Sequence, residues 1–204
     1  MSKAIVLKQL GLQDYQKVWH DMQRFTAERT ADTVDEIWIT EHPPVYTLGL
    51  NGHRRHLLQA TDIPLIESDR GGQVTYHAPG QLIVYLLADL RRAALGPRQA
   101  VTLLENAMIV ALSQYGIQAQ SRADAPGVYV EDKKIGALGL RIKRGCSYHG
   151  LSLNNDLDLS PFKAINPCGH AGLEVTRLAD FGIHIHNHEL AVPVVHHIIK
   201  AIEP

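Results

Sequence analysis

The side chain with the strongest chemical potential in this sequence is the thiol of Cys168. It stands between Pro167 and Gly169 in a turn-rich stretch, residues 156–172, where a thiol tends to be exposed. A thiolate is the most nucleophilic group that a protein offers, so a nearby cation would make Cys168 a candidate acyl acceptor. The alternative is a small buried hydrophobe, as most free cysteines are. Cys146 begins a predicted strand and is interpreted as part of the framework.

Two further segments carry groups that could act on a substrate. Lys133 and Lys134 stand at a tight turn before a predicted strand, where a lysine either points into a site or is solvated. Residues 69–82, DRGGQVTYHAPGQL, hold three glycines whose backbone N–H groups could approach a ligand, with Arg70 and His77 as further donors. The alternative is an ordinary Gly/Pro hairpin, and this segment contains neither a Walker A nor a dinucleotide-binding motif.

Histidine is abundant, with 12 residues, and two places could use it. In HIHNH, His184, His186 and His188 fall on one side if the segment is extended, and such a triplet could bind zinc. The flanking sequence offers no Cys or carboxylate at ligand spacing, so a solvated polar strand face is the favoured interpretation. His149 precedes Gly150 in another small-residue turn, and its residue type alone leaves its role open.

Three helices are predicted from apolar residues at three- and four-residue steps. The first has a face of Tyr15, Val18, Trp19, Met22 and Phe25. The second opens with Pro97, stops at Gly116 and has a face of Val101, Leu104, Met108, Leu112 and Tyr115. The third follows the Pro193 region and is built on Val194, Ile198 and Ala201.

Strands are predicted over residues 3–10 and 36–40, and two prolines then impose extended backbone. Residues 81–90, QLIVYLLADL, are apolar at nearly every position, which fits either a strand buried on both faces or a short buried helix. Residues 127–145 predict two strands around the polar turn EDKK, and residues 148–156 a third, giving an antiparallel meander. Strands and helices mixed without strict alternation indicate an α+β protein.

Composition limits the class of protein and its partners. A length of 204 residues predicts one domain, and 45% hydrophobic with 20% charged residues is typical of a globular chain rather than a disordered one. The net charge of -1 provides no overall field for nucleic acid or anionic lipid. No secretory signal and no apolar run of about 18 residues is found, which predicts a cytoplasmic protein with free thiols.

Four segments, RGGQVTYHAPGQL, KIGALGLRIKRG, YHGLSLN and INPCG, follow one another along the chain. With these motifs the chain resembles the octanoyltransferases of lipoate biosynthesis, which are relatives of lipoate-protein and biotin-protein ligases. The resemblance spans roughly residues 5–180. It implies a single octanoyltransferase domain over residues 1–204, with the α+β fold of those ligases, a mixed sheet flanked by helices. It implies no cofactor and no metal.

The resemblance also implies the site residues and their roles. Cys168 takes an octanoyl group from acyl carrier protein as a thioester, and Lys134, rather than Lys133, activates it. A lysine ammonium favours the thiolate, and the neutral amine can later accept a proton. The implied substrate-binding residues are Arg70, Gly71, Gly72, Gln73, Val74, Thr75, Tyr76, His77, Ala137, Leu138, Gly139, Gly150, Leu151 and Ser152, with His149 as a further candidate.

The implied partners are octanoyl-acyl carrier protein as donor and lipoyl domains as acceptors. These acceptors are the E2 subunits of 2-oxoacid dehydrogenases and the H protein of glycine cleavage, with no nucleic acid and no membrane. Such carriers are generally acidic, so one or more basic clusters could dock them, or could simply be solvated. The clusters are Arg54-Arg55, Arg91-Arg92 and Arg141-Lys143-Arg144.

The sequence departs from the family pattern at one position. Ala78 stands where the family usually has Gly; extended backbone before Pro79 would accommodate it, whereas a positive φ would be strained.

Three alternative functions remain open. The main alternative function is an ATP-dependent lipoate or biotin ligase, which uses no covalent cysteine. The others are a binding module for acylated carriers without catalysis, and a zinc enzyme built on HIHNH.

Overall fold

A seven-stranded sheet with helices on both faces forms the frame of residues 4–203, the part described by a computed structural model. Along the chain the elements are β1 (Val6–Leu12), α1 (Tyr15–Glu28), β2 (Glu36–Glu41), β3 (Val45–Leu48), β4 (Leu65–Glu67), β5 (Val74–His77), β6 (Gln81–Leu87), α2 (Pro97–Ser113), β7 (Gln120–Ser121), β8 (Val128–Val130), β9 (Lys133–Lys143), β10 (Cys146–Asn154) and α3 (Asn187–Ile202). Short 3-10 turns lie at Arg54–His56, Ser160–Ala164, Pro167–Gly169 and Leu178–Phe181. The predicted first strand corresponds to β1, and its Lys3 lies outside the described residues.

The sheet is mixed. Its strand order is β1-β2-β6-β10-β9-β8-β7, with β1 parallel to β2 and the other neighbours antiparallel. A second, small sheet has the order β4-β3-β5. The strands β8, β9 and β10 are the predicted antiparallel meander. The predicted fold class, α+β with a mixed sheet flanked by helices, is confirmed.

The apolar run of residues 81–90 forms the central strand β6 rather than a helix. All seven residues of β6 are buried, and the strand pairs with β2 and β10. Its even-numbered apolar residues pack with α2 and α3 on one face, and its odd-numbered ones pack with α1 on the other. Burial on both faces explains why the sequence shows no alternation there.

The first two predicted helices are confirmed, and the third is partly wrong. α2 begins at Pro97 as predicted and ends at Ser113, shortly before the predicted stop. α3 already begins at Asn187 and contains Pro193, which was predicted to precede it. The earlier start is stabilised by a capping box, in which Glu189 accepts a hydrogen bond from the His186 N–H at 2.9 Å. Ala201 is exposed, and Ile202 is buried in its place.

The predicted polar strand over HIHNH is also wrong. His186 caps α3 and His188 lies in its first turn, because the capping box ends the extended backbone there. Their rings stack at 5.3 Å between centroids. Within residues 4–203, no three His, Cys, Asp or Glu side chains are grouped closely enough to hold a metal ion. In the same range, no helix has both the length and the apolar character needed to cross a membrane.

Candidate active site

Cys168 and Lys134 meet although they are far apart in sequence. Lys134 Nζ donates a hydrogen bond of 2.8 Å to Cys168 Sγ and another of 2.9 Å to the carbonyl of Pro126. Lys134 is only 3% exposed, so its ammonium is largely screened from water. Lys133 instead points outward and forms an ion pair of 3.3 Å with exposed Glu174. Of the two lysines that the turn offers, the structure therefore brings Lys134 to the thiol.

The backbone of Lys134 is fixed by the chain that follows Cys168. Its N–H donates to the carbonyl of Glu174, and its carbonyl accepts from the N–H of Thr176, both at 2.9 Å. The pairing of β9 with β8 shifts by one residue at Ile135, so β9 bulges next to Lys134. Such bulges re-aim side chains and are common beside active sites.

Cys168 lies on a tight turn. Its φ is 56°, a left-handed conformation that non-glycine residues seldom adopt, and it is followed by Gly169 at 81°. Two hydrogen bonds close the turn: Gly169 N–H donates to the carbonyl of Asn166 at 2.9 Å, and His170 N–H donates to that of Pro167 at 3.1 Å. This turn presents the half-exposed sulfur toward Lys134.

A cavity of about 150 Å³ opens beside Cys168. It brings together most of the residues implied as substrate-binding, together with His149. These lining residues are Arg70, Gly72, Gln73, Val74, Thr75, His77, Ala137, Leu138, Gly139, His149, Gly150, Leu151 and Ser152. Two implied residues do not line it: Gly71 faces β9, and Tyr76 packs against Tyr46 and Phe162 on the other side of the small sheet. The alternation of side chains along β5 explains why Tyr76 points away from its neighbours.

Arg70 holds the glycine-rich loop to the small sheet. Its guanidinium donates to the carbonyls of Thr47 and Gln73 at 2.6 Å and to that of Gly71 at 2.8 Å. The side chain is buried, and these bonds direct most of its donors to the protein. Arg70 therefore shapes the loop that lines the cavity, in addition to contributing to its wall.

The glycines of the loop allow a close approach between backbones. A Cβ on Gly139 would lie 2.7 Å from the carbonyl oxygen of Gly71, so any larger residue there would push the loop off β9. Gly71 N–H also donates to the carbonyl of Leu140 at 3.0 Å. Ala78, by contrast, lies outside the positive-φ region and is 4% exposed, as the extended-backbone interpretation predicts.

A neutral network of buried histidine and tyrosine lies beneath the cavity. Burial lowers the pKa of His77 to about 3 and that of His42 to about 4, so both are uncharged near pH 7. His42 donates from Nδ1 to the carbonyl of Gln13 and accepts from the Tyr85 hydroxyl at Nε2, both at 2.7 Å. Sequence reasoning missed His42 and Tyr85; the only signal was a histidine directly before two prolines.

Asp69 links α1 to β10 at the edge of the cavity. It accepts hydrogen bonds from Trp19 Nε1 at 2.7 Å and His149 Nε2 at 2.9 Å, and further bonds from Gln23 and the Tyr148 hydroxyl. Partial burial raises the pKa of Asp69, but these bonds outweigh it and hold that pKa well below its usual range. Burial lowers the pKa of His149, against the opposing effect of Asp69. Asp69 belongs to the predicted binding segment, residues 69–82, but sequence reasoning assigned it no role.

Comparison with solved structures defines the class of the fold. A putative lipoate protein ligase from Thermoplasma acidophilum matches with a TM-score of 0.78 at 12% identity, over 98% of this chain and 85% of that one. A biotin protein ligase from Aquifex aeolicus matches with a TM-score of 0.57 at 13% identity, over 99% and 70%. The protein thus has the catalytic fold shared by lipoate and biotin ligases.

Sequence comparison is more specific. An octanoyltransferase from Dechloromonas aromatica is 56% identical over 198 residues, which cover 97% of each chain. Residues 14–199 match the model of the lipoyl protein ligase A/B catalytic domain. The chain belongs to that family and, within it, to the octanoyltransferases, a group of acyltransferases. The resemblance predicted from the four motifs is confirmed.

Proposed function

We propose that this protein moves an octanoyl group from octanoyl-acyl carrier protein to the specific lysine of a lipoyl domain, through a thioester on Cys168. The observation that carries the proposal is the 2.8 Å hydrogen bond from Lys134 Nζ to Cys168 Sγ at the wall of the cavity. An ammonium at this distance stabilises a thiolate by Coulomb attraction, which is stronger in a site shielded from water. The thiolate is the form that attacks an acyl carbon.

In the first half-reaction, the Cys168 thiolate attacks the carbonyl carbon of the donor thioester. A carbon–sulfur bond to Cys168 forms while the bond to the carrier's thiol breaks, and the departing carrier thiolate takes a proton from the Lys134 ammonium, which leaves Lys134 neutral. One thioester replaces another, so this step needs no external energy source. Backbone N–H groups of the glycine-rich turns can stabilise the oxyanion, and losing one such donor typically costs about 3 kcal/mol of transition-state stabilisation.

In the second half-reaction, the amine of the acceptor lysine attacks the Cys168 thioester. An amide bond forms, the Cys168 thiolate leaves, and Lys134 in its neutral form accepts the proton that the amine loses. Conversion of a thioester to an amide is downhill, so no ATP is required. The same lysine thus serves both half-reactions, first as a cation and then as a base.

The cavity suits an aliphatic acyl chain. Ile83, Tyr85 and Ala137 line it together with the thiol-bearing turn, and apolar walls bind methylene groups by removing them from water. We assign to the lining residues the task of holding the acyl chain while Cys168 and Lys134 act on its carbonyl.

The test is a transfer assay with purified proteins. Octanoyl-acyl carrier protein and an unmodified lipoyl domain are incubated with the enzyme and without ATP, and the lipoyl domain is followed by intact mass. The expected result is a gain of one octanoyl group, lost in Cys168→Ser. Transfer that requires free octanoate and ATP would instead establish a ligase and overturn the proposal, and Cys168→Ser with full activity would remove the covalent step.

A further inference from the structure

The Lys134 side chain reaches Cys168 through a narrow passage between the Tyr129 ring and residues 125–127. Its ammonium lies over the face of the Tyr129 ring, with Nζ 5.4 Å from the ring centroid. Nζ then donates to the carbonyl of Pro126 at 2.9 Å as well as to Cys168 Sγ. Residues 125–127 therefore form one wall of the passage, and their placement decides where the ammonium lies.

Gly127 leaves the space that the lysine stem occupies. A Cβ at this position would collide with Lys134 Cε and would lie 2.8 Å from Nζ and 2.9 Å from the carbonyl oxygen of Gly136. The φ of Gly127 is 140°, a conformation that L-amino acids rarely adopt. Any side chain here would both strain the backbone and push the ammonium away from the sulfur.

The side chain of Glu105 holds the backbone of Gly127 by a hydrogen bond. This residue of α2 is 7% exposed, and its Oε1 accepts a hydrogen bond of 2.9 Å from the Gly127 N–H. Among residues 4–203, no salt bridge involves Glu105. Burying a carboxylate without a cationic partner is costly, and its neighbours on the helix, Leu104 and Met108, belong to the apolar core. Apolar packing does not explain a carboxylate at this position, whereas its hydrogen bond to the Gly127 backbone does.

We propose that Glu105 and Gly127 are positioning residues that set the Lys134 ammonium on Cys168. Glu105 acts through the peptide between Pro126 and Gly127, whose carbonyl accepts from Lys134 Nζ and whose N–H donates to Glu105. This inference rests on the proposed roles of Cys168 and Lys134, and it adds the helix α2 to the machinery that activates the thiol.

The test follows alkylation of Cys168 by iodoacetamide as a function of pH, by mass spectrometry of the peptide that contains it. This readout needs no substrate, and thermal unfolding checks that each variant is folded. We expect Glu105→Leu to slow alkylation at pH 7 by on the order of tenfold and to move the profile to higher pH, toward that of Lys134→Ala. Glu105→Gln keeps the acceptor oxygen and should stay within about twofold of the wild type.

Gly127→Ala provides a second, independent variant. It should shift the alkylation profile in the same direction, because the new methyl group displaces the lysine stem. Gly116→Ala is the matched control, since Gly116 also has a positive φ, 75°, but nothing within 4 Å of its added Cβ. Its profile should remain that of the wild type. If Glu105→Leu does not fold, Gly127→Ala decides the question.

Any of four results would overturn the inference. These are a folded Glu105→Leu with the wild-type profile, a folded Gly127→Ala with the wild-type profile, Glu105→Gln shifted as far as Glu105→Leu, and Gly116→Ala shifted as far as Gly127→Ala. The proposed function fails differently. In that case wild type and Lys134→Ala would already share one alkylation profile, before any change at Glu105 or Gly127.

Discussion

The geometry at Cys168 depends on residues held in conformations that few sequences favour. Cys168 itself has a φ of 56° and His149, across the cavity, one of 61°. Such conformations cost about 1–3 kcal/mol each and persist only where the surrounding structure enforces them. Here the Asn166 N–H donates to the carbonyl of His56 at 2.8 Å, which ties the Cys168 turn to a neighbouring loop. This hydrogen bond and those within the turn hold the strained turn and so keep the sulfur facing the cavity and Lys134.

At the same scale, the buried histidines predict how stability depends on pH. Their ordinary pKa is about 6.5 in the unfolded chain, whereas burial lowers the pKa of His42 to about 4 and that of His77 to about 3. Between about pH 6.5 and pH 4 the unfolded state therefore binds more protons than the native state. The free energy of unfolding should fall as the pH falls, by up to about 1.4 kcal/mol per pH unit per histidine.

Urea unfolding at several values between pH 7 and pH 5 checks this expectation. His42→Gln removes one of these buried histidines, so the dependence of the free energy of unfolding on pH should become shallower. His184→Gln, at an exposed position, is the control and should keep the wild-type slope. A His42→Gln variant with an unchanged slope would show that this histidine is not the source of the effect.

At the scale of elements, most of the fold could be predicted and the failures have physical causes. Periodicity found α1 and α2, because each buries one face, and the polar turn at residues 131–134 marked the meander β8-β9-β10. It could not decide β6, which is buried on both faces. It misplaced the start of α3, because a proline inside the helix outweighed the capping box that precedes it.

The site was only partly predictable, because local sequence patterns do not report contacts between distant parts of the chain. Motifs mark Cys168 and the loop at Arg70, because chemistry there needs particular residue types. Choosing Lys134 over Lys133 required the family resemblance, since spacing along the turn treats the two alike. Glu105 and Asp69 act through contacts made across the fold, at Gly127 and His149, and no local pattern reports such contacts.

At the scale of the whole molecule, the basic clusters differ in their ion pairs and in their contacts. Arg91 and Arg92 form ion pairs with Asp89 and Asp35, and Arg54 forms one with Glu67, whereas exposed Arg55 lies beside Arg54 in the turn Arg54–His56. Residues 53–56 contact both the loop that holds Gln73 and the turn that holds Cys168. His53 N–H donates to the Gln73 side chain, and the carbonyl of His56 accepts from the Asn166 N–H. If an acidic carrier delivers its acyl group to Cys168, this turn lies where it could meet the carrier.

We therefore expect Arg55→Glu to slow acylation by octanoyl-acyl carrier protein by roughly tenfold at low salt, with a smaller effect at high salt because charges are then screened. Acylation by octanoyl-pantetheine, which lacks the carrier, should be unchanged. Arg98→Glu makes the same charge change at an exposed position on α2 and is the control. Equal rates for wild type and Arg55→Glu with the carrier would remove this turn as a docking surface.

The most direct measurement of the central claim is the intact mass of the enzyme after incubation with octanoyl-acyl carrier protein, without ATP. The wild type should gain one octanoyl group that hydroxylamine removes, as it removes thioesters. Cys168→Ser should carry no such labile group, and Lys134→Ala should acquire it more slowly, by about 10²-fold or more. A wild type that remains unmodified while it still acylates a lipoyl domain would contradict the covalent mechanism.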